Sequence, residues 1–313
     1  MLAAAAAQGS AFPEWQPHLE IWVLIAGILG LGLYAARVIQ PTVVAQGGAP
    51  ISAAQKRWFV AGLALMWLAS DWPIHDIAEE RLYSVHMFQH LLYTTAIPPM
   101  FLLATPSWLG RLILGEGGVK RWFTRWARPV PAAITFNVVV AITHWGWMVN
   151  SSVRSGPVHY GVHIIVIGAA LLAWTPVCGP FPEMRISPPG QMVHIFLLSI
   201  IPTIPAAFLV NAEGTLYSAY DRDPRLWGLS VTEDQQLAGA MMKVVNGFLL
   251  WGIILVIFIR WSRDEDRGQP EFRGRLVPSQ PDGDTFPDPV SEPAPAPETG
   301  RTPGTVKVPS ETT

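Results

Sequence analysis

Seven apolar runs limit what this chain can become. They cover roughly residues 19–36, 58–70, 82–104, 132–149, 158–174, 192–210 and 238–259. The hydrocarbon core of a bilayer is about 30 Å thick, and an α-helix crosses it in about 20 residues. Water cannot satisfy backbone N–H and C=O groups there, so a crossing segment must pair its own, as a helix does. Charged residues make up 14% of the chain, against about 25% in a soluble domain. These features predict an all-α polytopic membrane protein with seven transmembrane helices. The second run is short as written and is extended from Ala53.

The connections differ in charge on alternate sides. One side holds Arg37, Lys56, Arg57, Arg111, Lys120, Arg121, Arg125, Arg128, Arg185, Arg260, Arg263 and Arg267; the other holds only Arg81, Arg154, Arg222 and Arg225, with acids beside them. Positive loops stay cytoplasmic, so the amino terminus is expected outside and the carboxy terminus inside a plasma membrane, of the bacterial inner-membrane kind. Residues 1–18 lack a basic signal-peptide start and read as an extracytoplasmic tail. Residues 19–263 form the seven-helix domain. Residues 264–313, rich in Pro, Asp and Thr without apolar periodicity, read as a disordered cytoplasmic tail.

Several function classes drop out. The net charge is −2 and Cys178 is the only cysteine. A basic arm and a Gly-rich phosphate loop are both missing, so nucleic acid is not an expected partner. One cysteine allows no intrachain disulfide and no thiolate metal cage. Nothing pairs a nucleophile with a base, so the chain does not read as an enzyme. Membrane lipid is an implied partner; oligomeric state is not legible.

The polar residues then carry the argument. His86 and His90 open the third run at i, i+4 spacing, on one helix face about 6 Å apart. His159 and His163 repeat that spacing at the outer start of the fifth run, and His144 closes the fourth. Met241 and Met242 lie at the outer end of the seventh. Histidines favour membrane interfaces, which accounts for one or two of them. Two i, i+4 pairs and a fifth ring at one depth point instead to a shared site, since ionisable groups in a bilayer are costly. Imidazole suits copper, zinc, iron and haem, whereas thioether sulfur selects Cu(I). The expected ligands are therefore His86, His90, His144, His159, His163, Met241 and Met242, with copper as Cu(I) the favoured ion. Methionine is also common packing material in apolar helices. His75, Asp76, Asp234 and Gln235 are weaker candidates, the last two as hydrogen-bond partners of ligating histidines. His194 starts its helix from the opposite side.

Tyr83-Ser-Val-His-Met-Phe-Gln-His-Leu-Leu92 with Ala96-Ile-Pro-Pro99, the Thr143-His144 step, and Asp234-Gln-Gln-Leu-Ala-Gly239 with Met241 resemble the polytopic CtaG family of cytochrome c oxidase assembly factors. The likeness covers roughly residues 15–265. It implies a seven-helix protein that matures the terminal oxidase by copper delivery, with oxidase subunits as partners. His86, His90, His144, Asp234 and Met241 are the matching positions; His159 and His163 rest on spacing alone. Lys243 departs from the apolar residue expected after Met242.

Three rival readings remain. Lys243 in a seventh span suggests a retinal Schiff base, but it lies only about 8 Å from the outer end by helical rise. The third span also offers no acidic counter-ion, so a snorkelling lysine explains it. Haem b held by His86 or His90 opposite His159 or His163 would make a redox protein. Copper import or sensing would use the same helices.

Overall fold

The computed structural model describes residues 13–266 apart from Pro224, and among them every regular element is helical. In chain order these are α1 (Leu19–Ala45), α2 (Ala53–Ser70), α3 (Ile74–Glu80), α4 (Tyr83–Ala104), α5 (Ser107–Leu114), α6 (Gly118–Trp126), α7 (Pro129–Thr143), α8 (Gly146–Arg154), α9 (Gly156–Cys178), α10 (Pro188–Val210) and α11 (Val231–Asp266). The tail expected from residue 264 lies, from residue 267 onward, outside the described residues, as do residues 1–12 of the amino-terminal one.

Helices α1, α9, α10 and α11 are each long and apolar enough to cross a membrane. The α4–α5 and α6–α7 pairs also qualify when joined, though they bend by 102° and 82°, so the described residues hold four to six candidate spans against the seven expected. Helix α2 is the run left over. It is 18 residues long, and its first turn carries Gln55, Lys56 and Arg57, which dilute its apolar character. The run expected over residues 132–149 stops at Thr143. There His144 leaves helical geometry and Trp145 is extended, so α8 starts afresh at Gly146.

Apolar surface faces outward to an extent that water would not tolerate. Val23, Ile164, Phe208 and Phe248 are each more than 70% exposed. Surfaces of this kind drive association in water and suit contact with lipid. Inside, α7, α9, α10 and α11 meet over Ala133, Phe136, Ala169, Ala170, Ala173, Ile195, Leu198 and Leu250. The alanines let backbones approach closely, which is how helices associate where lipid removes the hydrophobic drive. Gly239 carries this furthest. A Cβ there would stand 2.8 Å from the Ala206 carbonyl oxygen and 2.8 Å from the Leu209 Cβ, so α11 can cross α10 only at a glycine.

A second cluster sits at the other end of the bundle. Tyr83 and Met87 of α4, Val149 of α8, Ala206 and Leu209 of α10, Ala238 and Met242 of α11, and loop residues Tyr217 and Tyr220 pack together there. Two π-helical turns, Leu92–Ala96 and Met241–Val245, lie just beyond it. Thr95 Oγ1 at the first donates to Asn246 Oδ1 beside the second at 2.8 Å, tying α4 to α11. Such turns rotate the residues before them relative to those after, and they recur at functional sites.

Candidate metal centre

The start of α4 is held by a carboxylate from another helix. Its first backbone N–H groups have no partner within the helix. The buried Asp234 of α11 supplies one, accepting from Tyr83 N at 2.7 Å and Ser84 N at 3.0 Å. Asp234 therefore does not bond to a histidine, as the sequence suggested; it caps the helix that presents two of them. Gln235 differs likewise. Its Oε1 accepts from Leu216 N at 2.8 Å and Tyr217 N at 3.2 Å, while Gln236 Nε2 donates to the Ala212 carbonyl. Together Gln235 and Gln236 pin the loop that brings Tyr217 and Tyr220 over the histidines.

On α4, the rings of His86 and His90 stand 4.5 Å apart, centroid to centroid. Helix α9 begins with Pro157 in its first turn, where a missing N–H costs nothing. That start places His159 and His163 with rings 4.2 Å apart. The pairs face each other: His86 lies 5.8 Å from both His159 and His163, and His90 lies 5.0 Å from His163. His144, at the break after α7, stands 6.3 Å from His90. The structure thus brings together all five histidines expected in one site.

Four of these rings are unusual in burying a nitrogen that has nothing to bond. His86 Nδ1, His90 Nε2, His144 Nε2 and His163 Nε2 are all buried without a hydrogen-bond partner. A single unsatisfied buried polar group costs about 1–3 kcal/mol, so four in one cluster need a reason. For His144 the lone pair can be assigned. Its Nδ1 is 2.7 Å from the Val140 carbonyl oxygen and donates to it, which leaves Nε2 unprotonated and turned inward. Metal-ligating histidines are oriented in this way. Ligand nitrogens of His86, His90 and His163 all lie within 4.8 Å of one another. Nitrogens bound to one ion at about 2.1 Å sit about 3.4 Å apart in tetrahedral geometry, so small ring rotations close the set.

Beside this group is a cavity of about 30 Å³ lined by Met87, His90, Thr143, His144, Met242 and Asn246, among others. A smaller one of about 10 Å³ touches His86, His90 and His144. These volumes suit an ion or a water or two. A pocket for a small organic ligand is about 300–1,000 Å³, larger than either. Of the two expected methionines, Met242 lines the larger cavity and is buried, whereas Met241 is only half-buried and lies outside that lining. Consecutive helical residues point about 100° apart, so one cavity takes one of them.

Further out, His75 Nε2 and His159 Nε2 converge on Glu79 Oε1 at 2.9 and 2.6 Å. Burial works against a charge on Glu79, yet the two imidazoles outweigh it and hold its carboxyl well below the usual carboxylate range. His75 Nδ1 faces Gln89 Nε2 at 3.2 Å. Asp76 turns away from the cluster to His18 Nε2 at 2.7 Å, and the His18 ring stacks edge-on to His75 at 5.0 Å. Sequence reasoning missed Glu79, Met87 and His18. The His75-x-x-x-Glu79 spacing could have pointed to Glu79; nothing local marks the other two. His194 stays apart, its Nε2 donating to the Ala173 carbonyl as a brace between α10 and α9.

The family model described as cytochrome c oxidase caa3 assembly factor matches residues 32–264. Two uncharacterized mycobacterial proteins, one from Mycobacterium bovis and one from Mycobacterium tuberculosis, are each 24% identical over 209 residues, 59% of this chain. The matched region is 31% of each relative, so this chain spans only about a third of their length. No solved structure matches.

Proposed function

Because the chain belongs to the cytochrome c oxidase caa3 assembly factor family, we propose that it carries copper as cargo for the oxidase. The ion is held by His86, His90 and His163, with His144 and Met242 beside it, and is passed to an oxidase subunit. The observation that carries this reading is the set of four buried imidazole nitrogens, on His86, His90, His144 and His163, without partners. Imidazole nitrogens next to thioether sulfur, with no thiolate, form a donor set that accepts Cu(I). Met87 adds a second sulfur at the cavity wall.

On this reading α2 is a seventh span. The histidines lie at the start of α4, the end of α7 and the start of α9, all at one end of the bundle. Arg111, Lys120, Arg121, Arg125, Arg128, Arg185, Arg260 and Arg263 gather towards the other. The positive-inside rule makes the histidine end extracytoplasmic, with the membrane a bacterial plasma membrane. The protein then acts by binding and release and catalyses no reaction. Buried rings exclude water, while ligation by three side chains leaves positions from which a recipient can take the ion.

Metal analysis tests this. Protein purified in detergent takes up Cu(I), and His86→Ala with His90→Ala removes it; unchanged copper stoichiometry in the double variant refutes the site. Deleting the gene lowers assembled oxidase, and normal oxidase after deletion refutes the assembly role in this organism.

A further inference from the structure

We propose that His75, Glu79 and His159 form a second cation site, outside the all-imidazole cluster, that takes a divalent transition-metal ion. This inference goes beyond the copper-cargo reading and does not depend on it. His75 and Glu79 are at i, i+4 on α3 and share a face; His159 comes from the first turn of α9. One ligand atom from each lies within 4.8 Å of the other two. Glu79 Oε1 is buried, and two imidazole nitrogens pair with it at 2.6 and 2.9 Å. A carboxylate oxygen and two ring nitrogens that converge in this way are arranged as ligands are.

The donor set differs from that of the inner cluster. Two imidazoles and a carboxylate suit divalent iron, zinc or copper and leave open positions, whereas nitrogen with thioether favours Cu(I). Access differs too. The Glu79 side chain keeps 34% of its surface exposed, while His86, His90 and His163 are buried. An ion arriving at this end therefore meets the carboxylate first. His159 joins the sites, with its ring 4.2 Å from His163. Gln89 orients His75. Its amide N–H faces His75 Nδ1, which sets the His75 proton on Nε2 in the metal-free protein. Binding through Nε2 needs the other neutral tautomer of His75, with its one proton on Nδ1 and no net proton released.

The test uses the full chain in detergent with Cu(II) alone as the probe, read by electron paramagnetic resonance. Wild type is expected to show one Cu(II) with two coupled nitrogens. Glu79→Gln lowers the affinity about tenfold or more, and His86→Ala with His90→Ala leaves both spectrum and affinity unchanged. An unchanged affinity in Glu79→Gln overturns the site, as does loss of Cu(II) from the double histidine variant. If Glu79→Gln does not fold, the wild-type nitrogen count decides alone: three or more overturn it. Cu(I) uptake is measured separately, so the inner cluster and this site can fail independently.

Discussion

Removing the Asp234 carboxylate should loosen the helix that carries His86 and His90 without touching either ring. The group is fully buried and accepts two backbone N–H groups at 2.7 and 3.0 Å. A hydrogen bond to a charged partner is worth about 1.5–3 kcal/mol, and a donor left buried without an acceptor costs about as much. Asp234→Ala strands both donors, so a loss of about 3 kcal/mol or more is expected. Asp234→Asn keeps one carbonyl oxygen and should lose about half. For a domain of this size 1 kcal/mol corresponds to about 2–4 °C in melting temperature, which puts the alanine variant about 6–12 °C below wild type. Thermal unfolding in detergent, followed by tryptophan fluorescence, reads the shift; a Cu(I) competition assay on the folded fraction then reads the weakened site. Melting within about 2 °C of wild type, with Cu(I) affinity unchanged, would refute the idea that Asp234 positions α4.

Other substitutions test separate parts of the structure. Gly239→Ala pushes a methyl to within 2.8 Å of the α10 backbone and should cost about 1–3 kcal/mol by overpacking, measured by the same melts. Met242→Leu should weaken Cu(I) binding while Met241→Leu leaves it unchanged, because only Met242 lines the cavity; equal effects in a competition titration would contradict that geometry. The α1–α2 contact should fail in acid. Burial raises the Asp71 pKa, but the Trp22 and Trp67 indole N–H groups and the Trp72 backbone N–H outweigh it and lower the pKa. A depressed folded-state value stabilises above the unfolded carboxyl pKa of about 3.9 and is lost as pH falls through the folded value. Hydrogen-exchange protection of α1, taken relative to the intrinsic rate, should therefore fall below about pH 4 in wild type, and Asp71→Asn should show that lower protection already at neutral pH.

Much of the site was legible because helical periodicity is short-range. The pairs His86/His90 and His159/His163 needed only i, i+4 spacing, and apolar runs placed all four rings at helix starts. Roles that depend on a partner far along the chain were not legible. Asp234 and Gln235 read as polar neighbours of a metal site, yet their acceptors serve backbone N–H groups of Tyr83, Ser84, Leu216 and Tyr217. Backbone groups carry no sequence identity, so no motif announces that a carboxylate caps a helix some 150 positions away. Glu79 sat among loop acids until the fold of α3 turned it against His159.

Sequence alone determined that the chain is helical and built for a membrane, because apolar run length and backbone hydrogen bonding admit few alternatives there. It also determined that histidine chemistry collects at one end. Only the tertiary structure decided which rings meet, that Met242 and not Met241 reaches the cavity, and that a carboxylate joins the outer histidines. Those outcomes depend on how each helix is rotated about its own axis, where a step of one residue turns a side chain by about 100°. Packing sets that rotation through contacts such as Gly239 against Ala206 and Asp234 beneath α4.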